Sequence, residues 1–176
     1  MAEPTIPVKA KLFIGMLTAS EEYIYAAEAQ LGKKFGEIDF KTVKIPFSHT
    51  EYYNSLGKGL FKVLISFKKL IPREKIVQIK LYTNKLEVKT SGKSTEKRKI
   101  NIDPGYLTLS NIFLASCKEY FHRIYLDKGI YLENELKYVE KRFQPWDWTY
   151  PDYKKSEYLD FFYNVRKIYY NQIKKK

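Results

Sequence analysis

The feature that most constrains the fold is a near-continuous apolar run at residues 11–17, Lys-Leu-Phe-Ile-Gly-Met-Leu. A strand with one solvent-facing side alternates apolar and polar residues, and this run does not alternate. It therefore predicts a central strand that is buried on both faces. A helix is predicted to begin at Thr18, because Glu21 completes a capping box three residues later and apolar residues follow at helical spacing.

Two more strands and a second helix are predicted in the first half of the chain. Imperfect alternation predicts a bulged strand at residues 38–47, and cleaner alternation predicts another at 60–67. Pro72 occupies the first turn of a predicted helix. A charged linker at 89–99 and a short strand at 99–102 follow. This order predicts a ferredoxin-like βαββαβ unit, an antiparallel sheet backed by two helices.

The second half adds a helix, a hairpin and a C-terminal helix. Apolar residues at helical spacing predict a helix at 107–117. The turn signal Asp127-Lys128-Gly129 predicts a β-hairpin formed by residues 122–126 and 130–138. Residues 156–174 have the pattern of an amphipathic helix. The predicted fold class is therefore α+β, a ferredoxin-like antiparallel sheet with these additions.

Length and composition predict one ordinary domain. With 176 residues, 44% of them hydrophobic and 30% charged, the chain can bury a core without a metal or a disulfide. We expect a single domain over residues 1–176, with residues 1–10 flexible. Cys117 has no partner for an internal disulfide, so we expect it to be a buried small side chain of a cytoplasmic protein. No segment predicts a signal peptide or a membrane span.

The net charge of +12 predicts attraction to a phosphate-bearing partner, either a small molecule or RNA. However, 27 of the 32 basic residues are Lys and five are Arg. Lys is typical of a solubilising surface, whereas Arg provides the two-pronged donor that suits phosphate recognition. The charge therefore supports both interpretations, and no pattern indicates an oligomeric state.

Three short clusters combine ionisable side chains, Gly or Pro, and aromatic rings: residues 101–106, 121–131 and 146–153. Such loops on a rigid sheet are typical of a ligand site. In the first cluster, Asp103 and Gly105 lie between a predicted strand and a predicted helix, where free backbone N–H groups favour an anion. Asp103 could also act as a base. A simple Asp-Pro-Gly turn explains the same residues.

The second cluster places His122 opposite the hairpin carboxylates Glu133 and Glu135. A histidine with an opposed carboxylate is the minimum for acid–base catalysis. Strand alternation also allows His122 to be an ordinary core histidine. The same alternation places Arg123 on the polar face, where it could hold a phosphate or a carboxylate.

The third cluster is a loop rich in aromatic residues. Trp148 and Tyr150, beside Asp152, could stack on a base or a sugar. The alternative is that these rings fold back over the sheet and seal its core.

Other motifs are incomplete. Residues 91–95, Ser-Gly-Lys-Ser-Thr, end like a phosphate loop, but Glu87 stands where that pattern requires glycine. His49 lacks the second His-x-Thr motif that a phosphoesterase of that kind needs. Two separated His and one Cys give no zinc spacing. No metal and no cofactor are predicted.

Together these segments resemble a small prokaryotic family, the domain of unknown function 4416. The resemblance rests on residues 11–16, 47–59, 101–108, 122–131 and 148–153, in that order. It implies no activity, substrate, cofactor or catalytic residue.

Three functional hypotheses follow. The first is a binding protein for a phosphate-bearing ligand, a nucleotide or RNA, with these contact residues: Asp103, Gly105, Arg123, Lys128, Tyr131, Trp148, Tyr150 and Asp152. The second is a hydrolase or transferase of a small phosphorylated substrate. Its base would be Asp103 or Glu133, its acid His122, and Arg123 would stabilise developing charge. The third is a scaffold protein whose aromatic loop is an interface.

Overall fold

The computed structural model describes residues 2–48, 51–90 and 98–174, which form three α-helices and one antiparallel sheet of nine strands. The strands are β1 (Lys11–Thr18), β2 (Ile38–Lys41), β3 (Ile45–Pro46), β4 (Phe61–Phe67), β5 (Ile100–Leu107), β6 (Asn111–Ser116), β7 (Ile124–Asp127), β8 (Ile130–Val139) and β9 (Arg142–Pro145). The helices are α1 (Glu21–Phe35), α2 (Ile76–Thr90) and α3 (Ser156–Lys174). The strand order is β2-β4-β1-β5-β6-β8-β7, with β3 beside β4 and β9 beside β8. The α+β class is confirmed.

The apolar run forms β1, which lies between β4 and β5 and is buried along its whole length. Its alternating side chains enter two different cores. Leu12, Ile14 and Met16 pack with α1 and α2, whereas Phe13 packs with α3 on the other face. The molecule therefore has three layers, and its central strand is apolar on both sides because both sides are covered.

Helix α3 closes the second core with aromatic residues. The ring of Phe162 lies 5.0 Å from that of Phe13 in an edge-to-face arrangement, and both side chains are fully buried. Truncating a buried Phe to Ala costs about 3–5 kcal/mol, so this contact fixes α3 on the sheet. The observed bounds of α3 match the amphipathic pattern in the sequence.

The start of α1 differs from the prediction. Thr18 remains in β1, and its hydroxyl donates to the Lys99 carbonyl oxygen at 2.7 Å and accepts the Ser20 N–H at 3.2 Å. The helix begins at Glu21, after Ser20. It ends at Phe35 and is followed by Gly36, whose φ of 97° favours glycine.

The helix predicted at 107–117 is wrong; these residues form the end of β5, a tight turn and β6. The Thr108 side chain makes the turn, because its hydroxyl accepts the Asn111 N–H at 3.0 Å while the Thr108 N–H donates to the Asn111 carbonyl. Ile112 and Leu114 then alternate into the α3 core. Pairing with a strand on each side overrides the helical spacing of the apolar residues.

The prediction of a turn at Asp103-Pro104-Gly105 is also wrong, because these three residues lie within β5. A Cβ on Gly105 would lie 2.2 Å from the carbonyl oxygen of Phe113 and 2.3 Å from the ring of Phe13. Glycine is therefore required for two strands and an aromatic ring to approach each other here, not for a turn.

Other predicted boundaries shift. The strand predicted at 38–47 is divided into β2 and β3, which both pair with β4. Strand β9 was not predicted. Helix α2 extends to Thr90 and β5 begins at Ile100, so most of the predicted linker at 89–99 lies outside the described residues, as do the phosphate-loop-like segment and His49.

The hairpin of β7 and β8 is confirmed. Lys128 and Gly129 have φ values of 52° and 75°, as a two-residue turn with left-handed positions requires. Near the N-terminus, Ala10 pairs with Ile71, and the carbonyl oxygen of Lys9 accepts a hydrogen bond from Tyr169.

Candidate functional site

The site begins where β5 and β6 separate. The two strands pair only from Gly105 to Leu107, although β5 starts five residues earlier. In the unpaired part, the Ile102 N–H donates to Glu87 at 2.6 Å, and its carbonyl oxygen accepts from Lys80 at 3.4 Å. Glu87 and Lys80 of α2 thus take the place of β6 as hydrogen-bond partners of this part of β5. By alternation, the backbone of Pro104 faces the same side as that of Ile102, toward β6. Proline has no N–H to donate, and it lies in β5 just before the first residue that pairs with β6, Gly105.

This separation opens into a cavity of about 690 Å³, the main cavity, which has the size of a small-molecule site. It is bounded by α2, the strands β4, β5 and β6, and the loop that precedes α3. Its charged lining residues come from strands, from α2 and from loops: Lys62, Lys80, Glu87, Arg98, Asp103, Lys118, Glu133 and Asp152.

Asp103 and Lys80 form the ion pair at the centre of the gap. Their side chains are 2.8 Å apart, and the side-chain amide of Asn101 also donates to Asp103. Burial alone would raise the pKa of Asp103, but Lys80 and Lys62 hold that pKa below its usual value. Burial alone would lower the pKa of Lys80, but Asp103 and Glu87 raise it. Both groups are therefore charged at neutral pH.

Lys62 supplies a second buried cation. Its ammonium lies 2.9 Å from Asp152, which also accepts a 3.0 Å hydrogen bond from the Tyr158 hydroxyl. The rings of Phe47, Tyr153 and Tyr158 surround it with centroids 5.5–5.8 Å away. Burial would lower the pKa of Lys62, but Tyr158 and Asp152 raise it above its ordinary value. The ring faces offset part of the desolvation of this charge.

Gly15 makes room for that lysine. It is paired with Leu64 and with Asp103 in the middle of β1. A Cβ at Gly15 would lie 3.3 Å from Cε of Lys62 and 3.2 Å from Leu64. The one small residue of an otherwise bulky strand thus lies beside the buried charges.

Glu87 is the carboxyl of the main cavity that can exchange a proton near neutral pH. Burial, together with the negative charge of Asp103, raises the pKa of Glu87 to about 7. Arg98 lies 3.6 Å from its other oxygen and also donates to Asn101 at 3.1 Å. Glu87 and Asp103 therefore differ strongly in proton affinity although both line the same cavity.

Glu135 is buried behind this wall. It accepts the backbone N–H of Tyr150 at 3.1 Å, and its second oxygen has no partner among the residues that the structure describes. Burial and the nearby Glu133 raise the pKa of Glu135 to about 8.

A second cavity of about 500 Å³, the aromatic cavity, adjoins the main one and shares Lys118, Glu133 and Tyr150 with it. The other residues that line it are Glu119, Tyr120, Phe121, His122, Arg123, Asp147 and Trp148.

His122 belongs to a column of stacked groups in this second cavity. Its ring lies parallel to Trp148 at 5.0 Å, Trp148 stacks on Trp146 at 5.3 Å, and the ammonium of Lys137 lies 4.3 Å from the Trp146 centroid. Nε2 of His122 is 2.8 Å from Glu133. The carboxylate partner is thus Glu133 and not Glu135. Nδ1 of His122 has no partner in the described part of the chain.

Arg123 holds several elements together. Its guanidinium donates to Glu133 at 3.0 Å, to Ser116 at 3.1 Å, to the Lys118 carbonyl at 2.9 Å and to the Tyr150 hydroxyl at 2.7 Å. These bonds use four of the five N–H donors of a guanidinium. Because β7 begins only at Ile124, strand alternation does not apply to residues 122 and 123. Arg123 therefore holds the loop in place through these bonds, and its role as a phosphate contact stays a prediction.

The structure distributes the predicted site residues between the two cavities. Asp103 and Asp152 line the main cavity, whereas His122, Arg123 and Trp148 line the aromatic cavity. Glu133 and Tyr150 line both. Three predicted residues line neither cavity in the described chain: Gly105, Lys128 and Tyr131.

Each of these three has a visible reason. Gly105 has no side chain and lies at a close strand contact. Lys128 is exposed at the tip of the hairpin, and Tyr131 packs against Tyr125 at 5.3 Å.

In the aromatic loop, residues 146–153, some rings cover the sheet and one ring stays accessible beside the cavities. Tyr153 is buried in the α3 core, and the indole N–H of Trp148 donates to the Asn134 carbonyl at 3.0 Å, so these rings cover the sheet. Tyr150 remains 40% exposed between the two cavities.

Sequence reasoning missed Lys62, Lys80, Glu87 and Arg98. A signal existed for two of them. Lys80 and Glu87 follow Ile76 and Thr83 by four residues each, so both charges fall on the inward stripe of α2. A charged residue on an apolar stripe is a candidate for a buried functional group.

Cys117 is exposed rather than buried, because β6 ends one residue before it. Within residues 2–48, 51–90 and 98–174, no group of three or more His, Cys, Asp or Glu residues is arranged to hold a metal ion. No described helix is long and apolar enough to cross a membrane.

The comparisons with known proteins support one assignment. The model of the family described as Domain of unknown function (DUF4416) matches residues 8–169. No curated protein and no solved structure matches the chain significantly.

Proposed function

The chain belongs to the DUF4416 family, and we propose from the geometry of the main cavity that it binds a small phosphate-bearing molecule there. A nucleotide is the ligand class that best fits the mixture of cations and rings. The observation that carries this proposal is the convergence of Lys62, Lys80 and Arg98, from three separate elements, on one cavity.

The charge balance of the cavity favours an anion. With Glu87 protonated, the lining carries four cations, Lys62, Lys80, Arg98 and Lys118, and three carboxylates, Asp103, Glu133 and Asp152. The cations of the lining then outnumber its carboxylates by one. A bound phosphate would favour the protonated form of Glu87, because a nearby anion raises the pKa of that carboxyl further.

The rest of the lining suits a small molecule better than an RNA strand. Phe47, Tyr53 and Tyr150 line the main cavity and provide aromatic surface for a base or a sugar. A concave site between packed elements encloses a ligand, whereas an RNA strand needs an extended groove. The lone cysteine and the ordinary soluble composition support a cytoplasmic setting for such a ligand.

Calorimetric titration at low ionic strength with nucleotides and sugar phosphates tests the proposal. Arg98→Gln removes a half-buried cation of the cavity and should weaken binding by about tenfold or more, since hydrogen bonds to charged groups contribute about 1.5–3 kcal/mol each. Lys68→Gln is the matched control, because Lys68 forms an exposed pair with Glu37 on the surface.

Binding should also weaken as salt rises, since it depends on phosphate contacts. If no phosphorylated compound binds, or if Arg98→Gln and Lys68→Gln bind equally well, the proposal is wrong.

A second candidate function is hydrolysis or transfer of a group on the same ligand. It is favoured by the two carboxyls Glu87 and Asp103, whose pKa values are shifted in opposite directions in one cavity. Such a pair is typical of an acid and a base in catalysis. In this scheme Asp103 is the base and Glu87 the acid, while Glu133 and His122 lie in the adjoining wall.

Turnover separates this candidate from simple binding. Products of a bound nucleotide or sugar phosphate are measured by phosphorus NMR for the wild type, Glu87→Gln and Asp103→Asn. Loss of products in both variants with retained ligand binding supports an enzyme. A wild type that binds without any product formation leaves binding as the function.

We also infer a ferredoxin-like origin for the first part of the sheet. The inference is supported by the element order β1, α1, β2, β4, α2, β5, by the strand order β2-β4-β1-β5, and by α1 and α2 on one face. An experimental structure that superposes on a ferredoxin-like domain over residues 11–107 would support it, and one with a different strand order would refute it.

A further inference from the structure

We propose that the aromatic cavity is a separate binding site for an organic ammonium cation. Four of its lining residues carry aromatic rings: Tyr120, Phe121, Trp148 and Tyr150. Rings of this kind attract a cation through their negative faces, and several rings around one space are the usual way in which proteins hold alkylated ammonium groups. The two faces of Trp148 are covered by His122 and Trp146, so the cation would contact the rings of Tyr120, Phe121 and Tyr150.

The rings form walls rather than a flat patch. The ring of Phe121 is perpendicular to that of Trp148, at 89° and 6.3 Å, and perpendicular to His122 at 83°. Tyr120 is tilted 49° from Phe121. Phe121 is 81% exposed, which is unusual for a large apolar side chain that has a concave space beside it. A ligand between these walls would cover it.

The charge of the lining favours a cation. Three carboxylates, Glu119, Glu133 and Asp147, face two basic residues, Lys118 and Arg123. The excess is negative in a chain whose net charge is +12, so the local charge is opposite to that of the whole molecule. Arg123 is already bound to Glu133 and does not present its charge to the cavity.

Two buried polar atoms in the wall have no hydrogen-bond partner in the described part of the chain, and this observation is independent of the ring geometry. Oε1 of Glu133 and Nδ1 of His122 have no hydrogen-bond partner among the described residues, and both side chains are at least 95% buried. An unpaired buried carboxylate oxygen is costly, and a positive charge in the adjoining cavity would stabilise the one on Glu133.

Choline and its neutral isostere 3,3-dimethylbutan-1-ol provide the test, because they share a shape and differ in charge. We expect choline to bind about tenfold more tightly than the alcohol. Titration is followed through the indole N–H resonance of Trp148. Phe121→Ala should weaken choline binding several-fold without a change in melting temperature, since this side chain is exposed. Asp147→Asn should also weaken it.

Tyr170→Ala is the control, because it removes another exposed aromatic ring, on α3, that is not among the lining residues of either cavity. Equal binding of choline and the alcohol would overturn the proposal, as would choline binding that Phe121→Ala and Asp147→Asn leave unchanged. A Trp148 resonance that shifts with inorganic phosphate but not with choline would also overturn it. None of these outcomes depends on ligand binding in the main cavity.

Discussion

Glu87 accepts the backbone N–H of Ile102 at 2.6 Å, in the place that β6 would occupy if the sheet continued. This bond holds the edge of β5 open and places a carboxyl of raised pKa in the wall of the main cavity. The Glu87 side chain thus both keeps β5 unpaired at Ile102 and supplies the carboxyl that can exchange a proton in the main cavity.

Glu87 should couple phosphate binding to proton uptake. The pKa of Glu87 is about 7, and an anion beside it raises that value, so wild-type affinity should increase as pH falls through 7. Glu87→Gln should bind with a weaker pH dependence. Phosphate monoesters titrate near pH ~6 themselves, so only the difference between the two proteins reports on Glu87. Titration calorimetry in buffers of different ionisation enthalpy measures it, and identical proton uptake in both proteins would contradict this role.

Glu135 should make the protein less stable at alkaline pH. The pKa of Glu135 is raised from an ordinary 4.5 to about 8, so the folded state holds a proton that the unfolded state has lost in this range. Stability that is present below about pH 4.5 is therefore lost as pH rises to about 8. Glu135→Gln should unfold at higher denaturant concentration than the wild type above pH 8, by a free energy of up to a few kcal/mol.

At acidic pH the Glu135→Gln variant and the wild type should have nearly equal free energies of unfolding. Urea titrations at the two extremes of pH provide the comparison. A constant difference between the two proteins at all pH values would mean that ionisation of Glu135 does not cause the effect.

Arg123→Lys should destabilise the fold although the charge is kept. A lysine cannot reproduce four bonds in fixed directions to Glu133, Ser116, Lys118 and Tyr150. The expected loss is about 2–4 kcal/mol in the free energy of unfolding, measured by urea denaturation. Arg142→Lys is the control, because Arg142 makes one exposed pair with Glu140. Equal effects of both substitutions would show that Arg123 is not structural.

Gly105→Ala should be among the most damaging small substitutions. Its Cβ would lie 2.2 Å from the backbone oxygen of Phe113, so β5 and β6 would have to move apart. We expect a loss of about 3 kcal/mol or more by thermal or chemical unfolding. Gly32→Ala in α1 is the matched control, because no atom lies within 4 Å of its added Cβ. It should gain about 0.5–1 kcal/mol from helix propensity. A harmless Gly105→Ala would refute the strand contact.

The elements that could be predicted from the sequence are those with strong local patterns. The apolar run of β1, the turn at Lys128 and Gly129, and the amphipathic stripe of α3 each specify their structure within a few residues. The segment 107–117 and the Asp103-Pro104-Gly105 sequence could not be assigned, because neighbouring strands decide their conformation.

The candidate site was predictable only in part. The histidine–carboxylate contact joins His122, just before β7, to Glu133 in β8, so the predicted turn between the two strands was enough to bring these residue types close together. Lys62, Lys80 and Asp103 meet only because β1 lies between β4 and β5 while β6 separates from the first part of β5 beside α2. No local pattern contains that arrangement, and it was found only in the folded chain.

The most direct measurement is an experimental structure of the protein with the tightest-binding nucleotide or sugar phosphate. The account predicts phosphate oxygens in the main cavity, within hydrogen-bond distance of Lys80 or Arg98, with the remainder of the ligand against Tyr53 or Tyr150. A phosphate held by surface lysines outside the cavity, with the Lys80–Asp103 gap still closed to it, would contradict the account.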